Sequence, residues 1–221
     1  SIVRVNRARG IQMLQDASSF TCDPTLLWTQ ERAGYVHFSM PLLGVMSGGL
    51  VVRKEDEALL APFLTGHEVD LHGLLNQTSL KLGIVAERSY GTQIDDILRQ
   101  LPESVLSRHY GNDATANQLQ MQQLGRLPMV MGYWPEVRYL IQQQGGSLAD
   151  YHFHPVQGVK RYQFLHVGCS ASALGREAIA HIDQLLPTLR RDTLPGLYAR
   201  WLDPQLQEDY LEQSKQFFKG E

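Results

Sequence analysis

The stretch "LKLGIVAERSYG", residues 80–91, runs from an apolar strand-like segment into a helical pattern, with Arg88, Ser89 and Tyr90 in the turn between them. A turn at the carboxyl end of a strand that opens a helix presents free backbone N–H groups and the positive end of the helix dipole. Both favour anions. Arg88 can add a two-pronged guanidinium clamp, Ser89 a hydroxyl, and Tyr90 an apolar wall with a polar tip. The bland alternative is a surface turn in which Ser89 or Thr92 simply caps the helix. Glu136 follows Trp134 and Pro135 at a second strand end. It can accept hydrogen bonds from an ammonium group, or only complement a helix dipole. No nucleophile stands beside a base in these segments, so the chemistry they suggest is grip rather than turnover.

Other reactive constellations are weak. His152 and His154, in "HFH", place two imidazoles on one face of a strand, but no third ligand is evident near them. "HEVDLH" lacks the spacing of the zinc-protease helix. No metal and no cofactor are expected. "GCSAS" has no strand–turn–helix elbow behind it, and no G-x-S-x-G, P-loop or G-x-G-x-x-G motif occurs. Cys22 and Cys169 lie far apart in sequence, without metal-ligand spacing. They read either as two buried thiols or as one long-range disulfide in an oxidising compartment.

The elements that must carry these residues follow from composition and periodicity. With 221 residues, 43% hydrophobic and 19% charged, the chain has the make-up of a soluble globular protein of one large or two small domains. A net charge of -3 argues against a nucleic-acid partner. No apolar run approaches the length of a membrane span, so direct membrane insertion is not expected, and no signal peptide is visible. "SIVRV" reads as a strand and "RARGIQMLQDA" as a helix. Strands are expected at "YVHFSMPLLG", "GGLVVRK", "LKLGIV", "LPMVMGYW" and "RYQFLHVGC". Ile94, Ile97, Leu98 and Leu101 make a helical face, with Thr92 and Asp95 as a weak capping box. A further helix over "ATANQLQMQQLG" ends at Gly125. "REAIAHIDQLLPTLR" is strongly amphipathic through Ile179, Ile182, Leu185, Leu186 and Leu189. Strand–helix alternation between about 80 and 135 is the pattern of a parallel α/β sheet with crossover helices, whose ligands sit outside the carboxyl ends of the strands.

Four segments in order resemble the type II periplasmic solute-binding proteins of the amino-acid-binding kind. "TLLWTQERAGYVHFSMPLLGVMSGGLVVRKED" is similar to their T-x-x-R…F-S-x-P…L-V-V-R crossing segment, and "LKLGIVAERSYGTQIDDIL" to their strand–turn–helix. "LQMQQLGRLPMVMGYWPEVRYLI" and "RYQFLHVGCSASALGREAIAHIDQLLPTLRRDTLPGLYARWL" resemble their later elements. The resemblance implies an α/β fold of two lobes with open mixed sheets, helices on both faces and two hinge crossovers, near "LLGVMSGG" and "PVQGVKRY". Residues 1–46 and 163–221 would form lobe I and 47–162 lobe II. Lobe I would lack its first strand and helix, "SIVRV" standing as the second strand.

The resemblance also assigns roles. Arg32, from the T-x-x-R segment, would clamp a ligand carboxylate, beside Thr25 and Trp28 on lobe I. Arg88, Ser89, Tyr90 and Glu136 would face the same cleft from lobe II. The acid that meets a ligand ammonium falls near Pro135, with Glu136 adjacent. Arg32 has a structural alternative, tying the crossover to its own lobe. Both cysteines fall in lobe I near strand ends, which makes a Cys22–Cys169 disulfide a candidate beside two free thiols. The implied function is periplasmic binding of a small polar, carboxylate-bearing or amino-acid-like solute, with an inner-membrane ABC permease as the implied partner. The alternatives are the extracellular sensor of a signalling protein and, further off, an enzyme on the same fold.

Overall fold

The computed structural model describes residues 2–219. In chain order the elements are α1 (Arg7–Gln15), β1 (Cys22–Leu27), β2 (Val36–Phe38), β3 (Leu43–Met46), β4 (Gly49–Arg53), β5 (Leu64–Thr65), β6 (Glu68–Val69) and α2 (Leu71–Gln77). Next come β7 (Leu82–Val85), α3 (Thr92–Gln100), β8 (Leu106–His109), α4 (Ala114–Gln123), β9 (Met129–Gly132), α5 (Trp134–Gln143) and β10 (Tyr151–Pro155). The chain closes with β11 (Tyr162–Ser170), α6 (Ala173–Asp192), α7 (Leu194–Ala199) and α8 (Pro204–Ser214). It divides into two compact units. Among the described residues, one comprises the chain up to Ala8 and Met46–Arg161, the other Arg9–Val45 and the chain from Tyr162 on.

The unit containing the middle of the chain is built on a five-stranded mixed sheet in the order β10-β4-β9-β7-β8. β7 runs parallel to both β8 and β9, while β4 is antiparallel to β9 and β10. Its apolar runs are continuous because the sheet is covered on both faces. Alternation then splits each run. Leu50, Val52, Met129, Met131, Leu82 and Ile84 pack on one side with Ile94 and Leu98 of α3. Val51 and Val130 pack on the other with Leu119 of α4 and Val137 and Ile141 of α5. Gly125, at φ +67°, closes the loop after α4 in a conformation that a Cβ would strain.

In the other unit the long strand β11 is the centre, antiparallel to β1 and β2 and paired also with β3. α1 covers one side through Ile11 and Leu14, against Leu26 and Val36. α6 packs Ile182 and Leu186 against Leu43, Val45, Leu165 and Val167. Cys22 and Cys169 are directly opposed across β1 and β11 and are bonded, with sulfurs 2.05 Å apart.

Three expectations change. The residues of "SIVRV" within the described part, Ile2 to Val5, form no strand. They are exposed and have no ladder partner, and an isolated strand is not stable in water; Ser1 lies outside the described residues. Residues up to Ala8 group with Met46–Arg161, not with the segment that follows them. The α6 face is narrower than its periodicity suggests: Ile179 and Leu186 are buried, but Leu185 and Leu189 are exposed.

Candidate functional site

The carboxyl ends of β7 and β8, the start of α4 and the first turn of α5 surround an open pocket of about 400 Å³. Its wall includes Val85, Arg88, Asp113, Thr115 and Glu136. Strand direction dictates the position, since parallel strands deliver their following turns to one edge of the sheet.

Arg88 is the centre of this site. Its guanidinium meets the Glu136 carboxylate in a two-pronged ion pair, with Nη1 donating to Oε1 at 3.1 Å and Nη2 to Oε2 at 2.5 Å. Nη1 also donates to the Thr115 hydroxyl at 3.4 Å. The guanidinium carbon lies 4.9 Å from the Tyr133 ring centre and 5.9 Å from that of Tyr90. Both rings thus add cation–π attraction. Burial by itself disfavours the charge. The Glu136 charge and its hydrogen bonds more than offset that, so the Arg88 pKa is raised and the group stays cationic. The side chains of Arg88 and Glu136 remain 21% and 35% exposed. That exposure leaves both on the pocket wall rather than sealed in the core.

The rest of the turn is scaffold. Tyr90 is 1% exposed. Its hydroxyl accepts the Val85 N–H at 2.9 Å, its ring stacks on Tyr133 at 6.0 Å, and burial pushes its phenol up to about 12. It therefore presents no wall to a ligand; it holds the strand end and backs Arg88. The Ser89 hydroxyl donates to Asp95, and the Tyr90 N–H donates to the other Asp95 oxygen at 2.8 Å. The N-terminus of α3 is thus served by the chain's own carboxylate, and the cap is Gly91 at φ +95°, not Thr92. The Tyr133 hydroxyl donates to the Ser89 carbonyl at 3.1 Å and locks this turn to the start of α5.

The remaining expected site residues lie in the other unit. Arg32 sits in a short 3-10 turn, 7% exposed, and its Nη1 donates to the Leu27 carbonyl at 3.1 Å. That geometry ties the turn to the end of β1. Thr25 is exposed beside a register shift in β1, and its N–H donates to the Asp23 carboxylate at 2.9 Å. Trp28 is 46% exposed.

Sequence reasoning missed Thr115 and the role of Tyr133 as a lid under Arg88. "DAT" at the start of the helix α4 is the signal that could have pointed to Thr115. It also found no third partner for the histidine pair. Glu57, from the 3-10 turn Lys54–Leu59 after β4, approaches both His152 and His154.

No protein-family model and no curated sequence matches this chain. Solved structures do share its fold. A Streptococcus pneumoniae amino acid ABC transporter substrate-binding protein bound to L-arginine superposes with a TM-score of 0.62 at 15% identity, over 98% of this chain and 75% of that one. The arginine-binding protein of T. maritima gives a TM-score of 0.55 at 16% identity, over 87% and 74%. A histidine kinase sensor domain similar to periplasmic binding proteins gives 0.58 at 16% identity, over 87% and 73%. The chain spans 65% of the length of a further arginine-bound S. pneumoniae substrate-binding protein that it resembles. The fold is that of type II periplasmic binding proteins. Among the described residues no helix is long and apolar enough to cross a membrane.

Proposed function

We propose that this protein binds a small zwitterionic solute of the amino-acid kind, without converting it, outside the cytoplasm and in the service of uptake. The observation that carries the reading is the partly exposed Arg88–Glu136 pair on the wall of the pocket at the strand ends. A guanidinium and a carboxylate held side by side are complementary to a ligand that brings its own carboxylate and ammonium. Such a ligand can exchange both charges of the pair at once, leaving none unpaired. A simple carboxylate satisfies Arg88 but strands Glu136. The resemblance in fold to substrate-binding proteins crystallised with arginine or histidine supports the same solute class. The disulfide fits an oxidising compartment. Arg32, Thr25 and Trp28 remain proposed ligand-binding residues of the unit that carries them. For Arg32 that role requires its side chain to leave the Leu27 carbonyl. An ABC permease is the proposed partner.

The test is isothermal calorimetry on the untagged chain with a panel of L-amino acids, their decarboxylated amines and simple carboxylates. We expect an amino acid to bind and both analogue series to bind at least tenfold more weakly, about 1.4 kcal/mol. Glu136→Gln should weaken amino acids but spare simple carboxylates, and Arg88→Lys should weaken both. Wild-type affinity in both variants would refute the assignment. The alternative, an extracellular sensing domain, is favoured by the similarity to the histidine kinase sensor domain. It predicts the same solute chemistry without a permease.

A further inference from the structure

The geometry points to a transition-metal site at the edge of the five-stranded sheet, made by His152, His154 and Glu57. It is independent of the Arg88 pocket and of the reading built on it. His152 and His154 project from one side of the edge strand β10, and Glu57 reaches them from the 3-10 turn after β4. One donor atom from each lies within 4.8 Å of the others. The neighbouring acids are otherwise engaged. Arg53 donates Nε to Asp56 at 2.8 Å and pairs also with Glu55, so Glu57 is the acid that turns to the histidines.

The state of His154 makes this more than a cluster. Its Nδ1 lies 3.1 Å from the carbonyl oxygen of His67. An oxygen acceptor there requires a proton on Nδ1, which in the neutral imidazole leaves a lone pair on Nε2. That Nε2 is buried in a side chain only 5% exposed and makes no hydrogen bond. It points at the Glu57 carboxylate, with Oε1 at 3.2 Å. A second proton on the imidazole, or a metal cation between the two, turns the contact into attraction, and the metal takes up both lone pairs. His152 Nδ1 reaches the same oxygen at 2.6 Å. Metal bonds of about 2.0 Å in tetrahedral geometry separate donors by about 3.3 Å. Both histidine–glutamate distances lie below that value and no two donor atoms are more than 4.8 Å apart, so side-chain shifts of about 1 Å seat an ion. The His67 carbonyl holds the other ring nitrogen of His154, as metal-binding imidazoles need to fix their tautomer.

Two imidazole nitrogens and one carboxylate suit Zn²⁺ and its late first-row neighbours, not Ca²⁺ or Mg²⁺, which take oxygen ligands. Both cysteines are in the disulfide and do not compete. His152 and Glu57 remain 37% and 33% exposed, so a fourth position opens to water or to an outside ligand.

The experiment uses the full untagged chain, stripped with a chelator and dialysed. ZnCl₂ is titrated calorimetrically, followed by MgCl₂ and CaCl₂ as controls. We expect one Zn²⁺ per chain, saturable at micromolar concentration, with no displacement by Mg²⁺ or Ca²⁺. His152→Ala and Glu57→Gln should each weaken binding at least tenfold. They should also abolish the rise in melting temperature that Zn²⁺ gives the parent protein. Glu57→Gln keeps the side-chain shape and decides the matter if His152→Ala folds poorly. No saturable binding, or binding that both variants retain undiminished, would overturn the site, the second outcome assigning the ion to other surface histidines.

Discussion

Removing the cross-link between β1 and β11 tests the architecture most directly. Cys22 and Cys169 are 147 residues apart in sequence. If the chain unfolds as a whole, closing a loop of that length restricts the unfolded state by about 5 kcal/mol in the chain-entropy model. The fold offers a second case. The unit spanning Met46–Arg161 lies in sequence between the two cysteines, and its ends are fastened together, the Ser47 N–H donating to the Arg161 carbonyl at 2.9 Å. If that unit stays folded while the other opens, the effective loop shrinks to roughly 33 residues and the model stabilisation to about 4 kcal/mol. Either value is an upper figure, since measured disulfides often deliver less. For a chain of this size each kcal/mol is worth about 2–4 °C, so the melting temperature should fall by roughly 8–20 °C.

Scanning calorimetry should compare the oxidised protein, the same protein under reductant, and Cys22→Ala/Cys169→Ala. The reduced protein isolates the cross-link; the double variant adds the packing lost at the fully buried Cys169. The unit that carries the cysteines should melt earlier in both. A second transition should remain unmoved if the units unfold separately. Two titratable thiols in denatured, unreduced protein, or melting within about 1 °C in all three samples, would refute the reasoning.

Tyr90→Phe should destabilise by about 1–3 kcal/mol in urea unfolding, because the buried Val85 N–H loses its acceptor. Unchanged stability would mean that the phenol is not needed at the strand end. Asp95→Ala should cost about 1–2 kcal/mol, because Asp95 accepts from both Ser89 and the Tyr90 N–H at the start of α3. A loss of helix protection in hydrogen exchange at residues 92–95 is the accompanying readout. Burial lowers the His166 pKa below its ordinary 6.5, against weaker opposition from the Ser39 carbonyl and Asp183. A lowered folded pKa means that the unfolded chain binds more protons. The contribution of His166 to stability is therefore full above about pH 6.5 and is lost as pH falls through the folded value. NMR titration should find its transition below that of an exposed histidine, and a midpoint at or above 6.5 would contradict this.

Much of the fold was legible in one dimension because local rules set it. The 3.6-residue spacing of Ile94 and Leu98 fixes α3, and both side chains are buried. The period of two puts His152 and His154 on one side of β10 whatever lies opposite. Runs such as "LGIV" and "MVMG" read as central strands because a sheet covered on both faces needs apolar residues at every position. Ile2 to Val5 also read as a strand from local composition and still form none. Pairing requires a partner edge, and sequence alone does not say whether one is available. The tertiary structure alone decides what each charge meets. Arg88 and Glu136 were each legible as ligand groups, but folding brings them to each other, 48 positions apart in sequence. Arg32 turns to the Leu27 carbonyl because a guanidinium at 7% exposure needs acceptors in place of water. Glu57 becomes the third partner of the histidine pair because a 3-10 turn after β4 passes the edge strand β10. Electrostatic partners are set by distance in space, which short-range periodicity does not encode.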